Sequence, residues 1–387
     1  MKLGNSILSA YETSVFEVMS RLAREHDAVN LGQGFPDSNG PDDVRQAAVE
    51  ATDKGPNQYP PSPGLPELRQ AVAAHGKRFY DLDIDWQTET LITCGGTHAL
   101  ASCFLGLIEP GDEVVMFEPV FDTYLPMVRR AGGIPKLVRL SPPDWAVPRA
   151  ALRAAFSTKT KLVLVNSPMN PTGKVFDRAE LEDIAALCRE FDAFAVCDEV
   201  YEHLVFDNLR HIPLMTLPGM RERTVRIGSA GKIFSLTGWK IGFLTGPKHM
   251  VQPIFRAHQA VVFSVAPSLQ KAVAYGLGKD DAFFAAIPTE LQAKRDRFMA
   301  ALVKMGFQAF KPHGTYFVTA DFRPLGANDD ALGFCTRLVT EAGVAAIPLS
   351  ALYEGDIPQH LIRFAFCKRD EVLDEAARRL AKYFGKI

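Results

Sequence analysis

Short apolar runs alternate with longer segments of helical periodicity from about residue 90 onward. The segment 178–191 places its apolar residues near one helical face and its charges elsewhere, which predicts an amphipathic helix covering a sheet. The apolar runs, short enough for buried strands, are 90–93, 113–117, 161–165, 193–197, 224–227 and 241–244. This alternation predicts an α/β fold in which a sheet is layered with helices.

The pattern changes after Pro267. Long charged segments of helical periodicity follow, and then two strand-like runs at 314–318 and 345–348. These runs predict a second, smaller α+β unit. The chain has 387 residues, which is more than a single hydrophobic core usually supports. Two domains are therefore expected.

Polar residues follow several of the predicted strands at the point where each strand should end. Gly95, Asn166, Asp198 and Ser229 all occupy such positions. Open α/β sheets bind their ligands outside the carboxyl ends of their strands, so these four positions are expected to converge on one site.

Lys232 and Asp198 are the most informative of these polar residues. Lys232 follows an apolar run within a stretch of small residues and hydroxyls, and Asp198 ends another apolar run. A lysine that can form an imine and an aspartate that can pair with a pyridinium nitrogen are what pyridoxal phosphate chemistry requires. The alternatives are a surface lysine at a strand end and a carboxylate that caps a helix or forms a buried salt bridge.

The composition is that of an ordinary globular protein, with 47% hydrophobic and 23% charged residues. A formal net charge of −2 gives no electrostatic reason to bind nucleic acid, so small-molecule ligands are expected. The charge-free stretch 91–108 is long enough for a membrane span, but Gly95-Gly96-Thr97 interrupts it. A strand, a glycine turn and a helix explain this stretch better, and no membrane association is expected.

The cysteines and histidines give no sign of a metal site. The six cysteines lie in mostly apolar surroundings without a CxxC pair, and buried free thiols are therefore expected. The histidines, among them His98, His203, His211, His258 and His313, form no recognisable ligand cluster. Charged residues at positions 12, 17 and 21 replace the apolar core of a signal peptide, so a cytoplasmic location is expected.

Several dispersed motifs, in this order and spacing, resemble those of the fold-type I, class I/II aminotransferases over nearly the full length. The resemblance is closest to the kynurenine, glutamine and methionine transaminase group and to the succinyldiaminopimelate transaminases. The motifs are Asn30-Leu31-Gly32-Gln33-Gly34-Phe35-Pro36-Asp37, Asn57-Gln58-Tyr59, Gly95-Gly96-Thr97, Asn166-Ser167-Pro168-Met169-Asn170-Pro171-Thr172-Gly173, Asp198-Glu199-Val200-Tyr201, Gly231-Lys232, Gly238-Trp239-Lys240 and Ile362-Arg363-Phe364.

The resemblance implies the pyridoxal phosphate transferase fold of type I, with a mixed, mostly parallel sheet layered with helices. It also implies two domains. A large cofactor-binding domain is expected at 41–280, and a small α+β domain is expected to combine 1–40 with 281–387.

The same resemblance implies roles for the cofactor's neighbours. Lys232 would hold the aldehyde of pyridoxal 5′-phosphate and move the Cα proton, and Asp198 would keep the pyridine nitrogen protonated. Tyr201 and Asn170 would bond the phenolic oxygen, and Phe121 would stack on the ring.

Phosphate and substrate contacts are implied in the same way. Backbone amides at Gly96 and Thr97, together with Ser229 and Lys240, would bind the phosphate; many relatives have arginine at the Lys240 position. Arg363 lies inside an apolar run and would bind the substrate α-carboxylate, unless an internal salt bridge occupies it. Asn170 and the backbone of Gly34 would assist, and Phe16, Phe35 and Phe263 would form an aromatic pocket for the substrate side chain.

Tyr59 and Phe263 match positions that reach the site from a neighbouring subunit in this family. The resemblance therefore implies a homodimer with two shared active sites. The expected activity is ping-pong transfer of an amino group between an L-amino acid and a 2-oxo acid.

Methionine, glutamine or an aromatic amino acid such as kynurenine is the expected donor, because no second arginine is assigned to a side-chain carboxylate. N-succinyldiaminopimelate transamination and cysteine-conjugate β-lyase activity at the same lysine remain alternatives. A ligand-sensing regulator is disfavoured, because the sequence has no DNA-binding module or basic extension.

Overall fold

The structure, a computed structural model, describes residues 4–385, and within that range the strands form three sheets surrounded by helices. The strands are β1 (Val29–Asn30), β2 (Thr90–Thr93), β3 (Glu113–Glu118), β4 (Ile134–Arg139), β5 (Thr160–Asn166), β6 (Phe194–Asp198), β7 (Thr224–Ser229), β8 (Gly242–Thr245), β9 (Gln308–Phe310), β10 (Phe317–Asp321), β11 (Val344–Ala345), β12 (Ile347–Pro348) and β13 (Leu361–Ala365). The α-helices are α1 (Val15–Glu25), α2 (Asp42–Lys54), α3 (Pro66–Tyr80), α4 (Trp86–Glu89), α5 (Gly95–Leu107), α6 (Tyr124–Arg130), α7 (Arg149–Ala155), α8 (Arg178–Glu190), α9 (Ala230–Ile233), α10 (Lys248–Val261), α11 (Pro267–Leu277), α12 (Asp281–Met305), α13 (Ala331–Arg337) and α14 (Asp370–Tyr383).

The largest sheet has the strand order β2-β8-β7-β6-β5-β3-β4. The strands from β7 to β4 run parallel, and β8 is antiparallel to both of its neighbours. The six predicted apolar runs overlap β2, β3, β5, β6, β7 and β8. The predicted α/β fold with a mixed, mostly parallel sheet is therefore confirmed.

Helices cover both faces of this sheet, which explains why its inner strands are apolar throughout. Along β5, Leu162 and Leu164 join one buried cluster with Phe104 of α5, whereas Val163 joins another with Ile184 of α8. Neighbouring residues of a strand point to opposite faces, so an uninterrupted apolar run requires cover on both sides.

Two sequence predictions about local structure are confirmed in this part of the chain. The amphipathic helix predicted at 178–191 is α8. It begins with a capping box, in which the Asp177 carboxylate accepts a hydrogen bond from the Glu180 amide and the Glu180 carboxylate accepts one from the Asp177 amide at 3.1 Å. The charge-free stretch 91–108 divides into β2 and α5, and no helix within residues 4–385 is both long and apolar enough to cross a membrane.

A four-stranded antiparallel sheet, in the order β12-β13-β10-β9, lies in the C-terminal part of the chain. Strand β1 pairs with β11, which brings the N-terminal segment to this part. The domain boundaries at 40 and 280 stay a prediction, and positions 1–3 and 386–387 of the proposed small domain lie outside the described residues.

Both strand predictions for the C-terminal part need correction. The run predicted at 314–318 forms a strand only from Phe317 onward, because Thr315 has a left-handed backbone (φ +65°). The run predicted at 345–348 is divided at Ala346. Val344–Ala345 pairs in parallel with β1, whereas Ile347–Pro348 pairs antiparallel with β13, so the two halves serve different sheets.

All six cysteines are free thiols, as expected, and five of them are buried. Cys94, which precedes α5, is partly exposed.

Candidate active site

A cavity of about 420 Å³ lies at the carboxyl ends of β5, β6 and β7, where the strand-end polar residues were predicted to meet. Fifteen of the predicted site residues line it: Phe16, Gly34, Phe35, Gly95, Gly96, Thr97, Phe121, Asn166, Asn170, Asp198, Tyr201, Ser229, Lys232, Lys240 and Arg363. The convergence follows from the sheet register, because Asn166 of β5 pairs directly with Asp198 of β6. Within residues 4–385, Tyr59 and Phe263 do not line this cavity.

Lys232 lies on the short helix α9, which begins directly after β7. Its amine donates a hydrogen bond to the Tyr316 hydroxyl at 3.0 Å and lies 5.5 Å from the centre of the Tyr201 ring. Burial lowers the pKa of Lys232 to about 8. A substantial fraction of the amine is therefore neutral near that pH, as both a nucleophile and a general base require.

Asp198 ends β6 with its side chain buried. One carboxylate oxygen accepts a hydrogen bond from the Tyr124 hydroxyl at 2.5 Å, and the other lies 3.4 Å from the Val200 amide. Burial raises the pKa of Asp198 despite these two donors. The ionised carboxylate thus lacks a full counter-charge, and a protonated pyridine nitrogen would supply one.

The start of helix α5 faces the cavity with free backbone donors. The first amides of an α-helix have no intrahelical acceptor, and the Cys94 side chain does not cap α5. His98 accepts a hydrogen bond from the Cys94 amide at 3.0 Å, but within residues 4–385 no side chain accepts from the next three amides. Gly95 has φ +75°, and a Cβ there would lie only 3.2 Å from the Lys240 amine. The amides of α5, the hydroxyls of Thr97 and Ser229, and the Lys240 ammonium therefore form a donor set suited to a phosphate dianion.

Arg363 lies on strand β13 of the four-stranded sheet, lines the cavity and is 1% exposed. Its guanidinium donates to the Asn170 side-chain oxygen at 2.8 Å and to the Gly32 carbonyl at 2.5 Å, and lies 3.9 Å from the centre of the Phe317 ring. Burial lowers the pKa of Arg363 to about 10. Within residues 4–385, no carboxylate pairs with Arg363 and its Nε has no hydrogen-bond partner. The salt-bridge alternative is therefore excluded for this part of the chain.

Gly34 contributes main chain to the cavity at a position that has no room for a side chain. A Cβ on Gly34 would lie 2.6 Å from the Phe317 ring, and the Gly34 carbonyl accepts a hydrogen bond from Tyr316 at 2.7 Å. Main chain without a side chain therefore forms this part of the cavity wall.

Comparison with known proteins identifies the family. The sequence profile of the family "Aminotransferase class I and II" matches residues 26–380. The chain belongs to the class I and II aminotransferases. The predicted resemblance is therefore confirmed, and the aminotransferase takes amino acids and 2-oxo acids as substrates.

Individual relatives cover almost the whole aminotransferase. A probable N-succinyldiaminopimelate aminotransferase of Mycobacterium tuberculosis is 46% identical, over 97% of each chain. A methionine aminotransferase of Escherichia coli is 36% identical, over 95% of each chain. Among solved structures, the N-succinyldiaminopimelate aminotransferase from M. tuberculosis superposes with a TM-score of 0.96, at 46% identity, over 98% of this chain and 100% of that one.

Aminotransferases of this class and fold depend on pyridoxal 5′-phosphate, and the cavity fits that group. The α5 amides suit its phosphate, the under-compensated Asp198 suits its ring nitrogen, and the enclosed Lys232 amine suits its aldehyde. When bound, the cofactor supplies an electron sink for the pair released when the Cα–H bond breaks. The protein would hold the ring, bind the α-carboxylate and receive the proton at Lys232 Nζ.

Two tyrosines of the aminotransferase site were not anticipated from the sequence. Tyr124 begins α6 and bonds Asp198, and Tyr316 precedes β10 and bonds Lys232. Both are buried, and a buried tyrosine ordinarily belongs to the core. The only local signal was the position of Tyr124 three residues after the predicted Phe121.

The histidine prediction needs correction. His203 lies with His75 and Glu202, and potential ligand atoms of the three residues are all within 4.8 Å of one another. The Nε2 atoms of the two histidines are 2.8 Å apart, and Arg226 bonds both Glu199 and Glu202. This contact has no local sequence signal, because His75 lies on α3, 128 positions before His203. These five residues are called the buried ion cluster below.

Proposed function

We propose that this aminotransferase transfers the α-amino group of an L-amino acid with a long neutral or aromatic side chain to a 2-oxo acid in a ping-pong cycle. The observation that carries this choice is the charge of the cavity wall. Within residues 4–385, the lysines and arginines on the wall are Lys232, Lys240 and Arg363. The proposal assigns each of them to the cofactor or the α-carboxylate, so none is left for a carboxylate on the side chain.

The remaining surface supports an apolar side chain. Phe16, Phe35 and Phe121 line the same cavity, and the rings of Phe16 and Phe121 are 5.9 Å apart. An aromatic or thioether side chain would bury apolar surface against Phe16 and Phe35, which is favourable, whereas a carboxylate would lose hydration without gaining a partner. Methionine, glutamine, phenylalanine and kynurenine fit this description.

A half-reaction screen tests the substrate class. The holoenzyme is mixed with one amino acid at a time, without an oxo acid, and the change in the cofactor's visible absorbance is followed. Methionine, glutamine and aromatic amino acids should react faster than aspartate and glutamate. Faster reaction with the dicarboxylic amino acids would contradict the proposal.

N-succinyldiaminopimelate is the second candidate, favoured by the 46% identity to a relative of that name. The same screen includes it, and a higher kcat/KM for it than for methionine would select it over the first candidate. Its distal carboxylates would then require cations beyond those that line the cavity of one chain. Pyruvate released from a cysteine conjugate without added oxo acid would instead indicate β-lyase activity.

The assignment of Lys232 has a separate test. Borohydride reduction of the holoenzyme should fix the cofactor on Lys232, and mass spectrometry of the digested protein should find it on that peptide. Lys232→Ala should show no fixed cofactor and no transamination, whereas Lys240→Ala should still be labelled at Lys232. Fixed cofactor on any other lysine would refute the assignment.

We further propose a homodimer in which Tyr59 and Phe263 of each subunit complete the cavity of the other. Tyr59 is 83% exposed and Phe263 is 48% exposed, and their rings pack edge to face at 5.5 Å. Phe263 also has φ +70°, which is costly for a bulky residue. Two exposed aromatic rings held in this way support a role at an interface.

Complementation tests the shared sites. Lys232→Ala chains are mixed with chains of a Tyr59→Ala variant that is folded and strongly impaired. Each heterodimer then has one cavity with both substitutions and one with neither, so a preparation consisting only of heterodimers should regain up to about half of the wild-type activity. Verified heterodimers that stay inactive would contradict the shared-site proposal.

A further inference from the structure

We propose that Tyr316 is a positioning residue that orients the Lys232 amine for proton transfer by anchoring it to the main chain at Gly34. This inference rests on the proposed role of Lys232 and adds a second residue to it. Tyr316 neither carries the proton nor binds the substrate in this proposal.

The hydrogen bonds at the Tyr316 hydroxyl fix the orientation of the amine. The hydroxyl lies 2.7 Å from the Gly34 carbonyl and 3.0 Å from Lys232 Nζ. A carbonyl can only accept, so the single hydroxyl hydrogen is directed at Gly34, and the oxygen must accept from Lys232. One N–H of the amine therefore points at Tyr316, and its lone pair points elsewhere.

This orientation suits the chemistry of a general base. A neutral lysine amine has two hydrogens and one lone pair, and the Cα proton is received by that lone pair to give an ammonium. If one N–H donates a hydrogen bond to Tyr316, the lone pair can point in fewer directions. Without that bond, the flexible side chain would sample more orientations, and fewer of them would accept the proton.

Tyr316 is rigid enough to act as such an anchor. It is 1% exposed, and its ring packs edge to face with Tyr201 at 5.4 Å and with Phe317 at 4.8 Å. Its carbonyl accepts from the Phe366 amide at 2.9 Å. The phenolic oxygen is therefore held in place by the surrounding core and not by Lys232.

The same anchor reaches the segment that supports the carboxylate-binding residue. Tyr316 bonds the Gly34 carbonyl, and Arg363 bonds the Gly32 carbonyl two residues earlier. The Lys232 amine, through Tyr316, and Arg363 are thus both positioned by one short stretch of main chain. Loss of the Tyr316 hydroxyl should disturb the base while Arg363 keeps its own bonds to Gly32 and Asn170.

Tyr316→Phe is the test, with Tyr353→Phe as the matched control, because Tyr353 is a buried tyrosine that does not line the cavity. The first measurement uses the cofactor-free protein. Acetylation of Lys232 by a limiting pulse of acetic anhydride is quantified by mass spectrometry over a range of pH. An accepting oxygen favours the ammonium over the amine, so the apparent pKa of Lys232 should fall in Tyr316→Phe by roughly half to one unit.

The second measurement uses the holoenzyme and a single turnover with an amino acid that reacts in the screen. The limiting rate should fall roughly 10- to 100-fold, since oriented proton transfer contributes about that much or more. The kinetic isotope effect with the α-deuterated amino acid should rise, and the apparent Kd of the amino acid should change less than about twofold.

The outcomes separate this inference from the broader proposal. A pKa of Lys232 and a limiting rate equal to those of Tyr353→Phe would refute it, as would a loss confined to amino acid affinity. Acetylation of the cofactor-free protein is independent of the substrate's identity, so failure of the substrate proposal would leave this readout intact. If Tyr316→Phe folds poorly, replacing Tyr316 by 3-fluorotyrosine weakens the acceptor without changing the shape, and the pKa should still fall.

Discussion

The chain that follows β6 separates two groups of buried polar side chains. They differ in whether other residues of the protein neutralise their charges. Asp198 and Tyr201 face the cavity, whereas Glu199 and Glu202 belong to the buried ion cluster. In the cluster, Arg226 lies 2.6 Å from Glu199 and 3.1 Å from Glu202.

In the cavity, by contrast, the buried charges lack such partners. Asp198 has a raised pKa and Arg363 a lowered one, because burial outweighs the partners that the chain provides for either charge. The pKa of Glu202 is instead lowered to about 2, by His75 and Arg226 against the effect of burial. Buried charges with complete partners stabilise the fold, whereas charges left without them mark the positions where ligand atoms belong.

The largest difference between the two regions should appear on removing Asp198. Asp198→Asn keeps an acceptor for Tyr124 but removes the charge that would face the pyridine nitrogen. The single-turnover rate should fall roughly 10³-fold or more, because this electrostatic support acts mainly in the transition state. A stopped-flow half-reaction measures it.

The melting temperature of cofactor-free Asp198→Asn should stay close to that of the wild type. A near wild-type turnover rate in this variant would mean that another group supports the ring nitrogen.

Glu202→Ala should give the reverse result. It leaves Arg226 with one carboxylate instead of two in a buried site, so the free energy of unfolding should fall by about 3–5 kcal/mol. Urea unfolding of the cofactor-free protein measures the loss. Lys54→Ala removes an exposed ion pair with Glu50 and should cost less than about 1 kcal/mol.

The turnover rate of folded Glu202→Ala should remain within about threefold of the wild type, since Glu202 is not among the residues that line the cavity in the described part of the chain. If its stability were unchanged, the contrast between the two regions would be wrong.

Arg363→Lys should have a smaller effect that is confined to substrate binding. Lysine keeps the charge but loses the planar fork, so the apparent affinity for amino acids and oxo acids should fall together by about 10- to 100-fold. Equilibrium dialysis of the cofactor should show little change. Arg149→Lys, at an exposed position, serves as the control, and unchanged affinities in Arg363→Lys would reject the carboxylate role.

The last prediction concerns the pH dependence of stability that His75 contributes, which is small over any single pH unit. Its pKa is lowered from 6.5 to about 3, chiefly by burial, while Glu202, His203, Arg226 and Arg78 act on it. The unfolded chain therefore binds the proton first, and stability is lost as the pH falls from about 6.5 towards 3. The slope from this one group is about 1.4 kcal/mol per pH unit.

Urea unfolding at a series of pH values would measure this slope. Glu202 contributes in the same direction, but between pH 4.5 and about 2, because its pKa is lowered. His75→Asn should flatten the curve between pH 6 and about 4.5, whereas His26→Asn, at an exposed position, should not. Equal slopes in both variants would place the acid sensitivity elsewhere.

The positions predicted at strand ends could be read from the sequence because each depends on a local pattern. An apolar run followed by Asn166, Asp198 or Ser229 specifies both a buried strand and the residue that emerges from it. In adjacent parallel strands these ends must meet, so the convergence at the cavity required no knowledge of distant contacts.

Features that depend on distant contacts were missed. Tyr316 approaches Lys232 across 84 positions, and His75 approaches His203 across 128. Strand β4 was also overlooked, because Ile134–Arg139 lies at the sheet edge with a proline and only partial burial, so it lacks the apolar signature of the inner strands.

The free amides at the start of α5 have an evolutionary consequence. A main-chain N–H is present for every encoded residue except proline, so most substitutions cannot delete it as they can delete a serine or lysine side chain. Phosphate binding through these amides would therefore tolerate sequence drift, while Phe16 and Phe35, which the proposal assigns to the substrate pocket, could diverge. A lineage could then change the side chain that its enzyme accepts and keep the same main-chain phosphate donors.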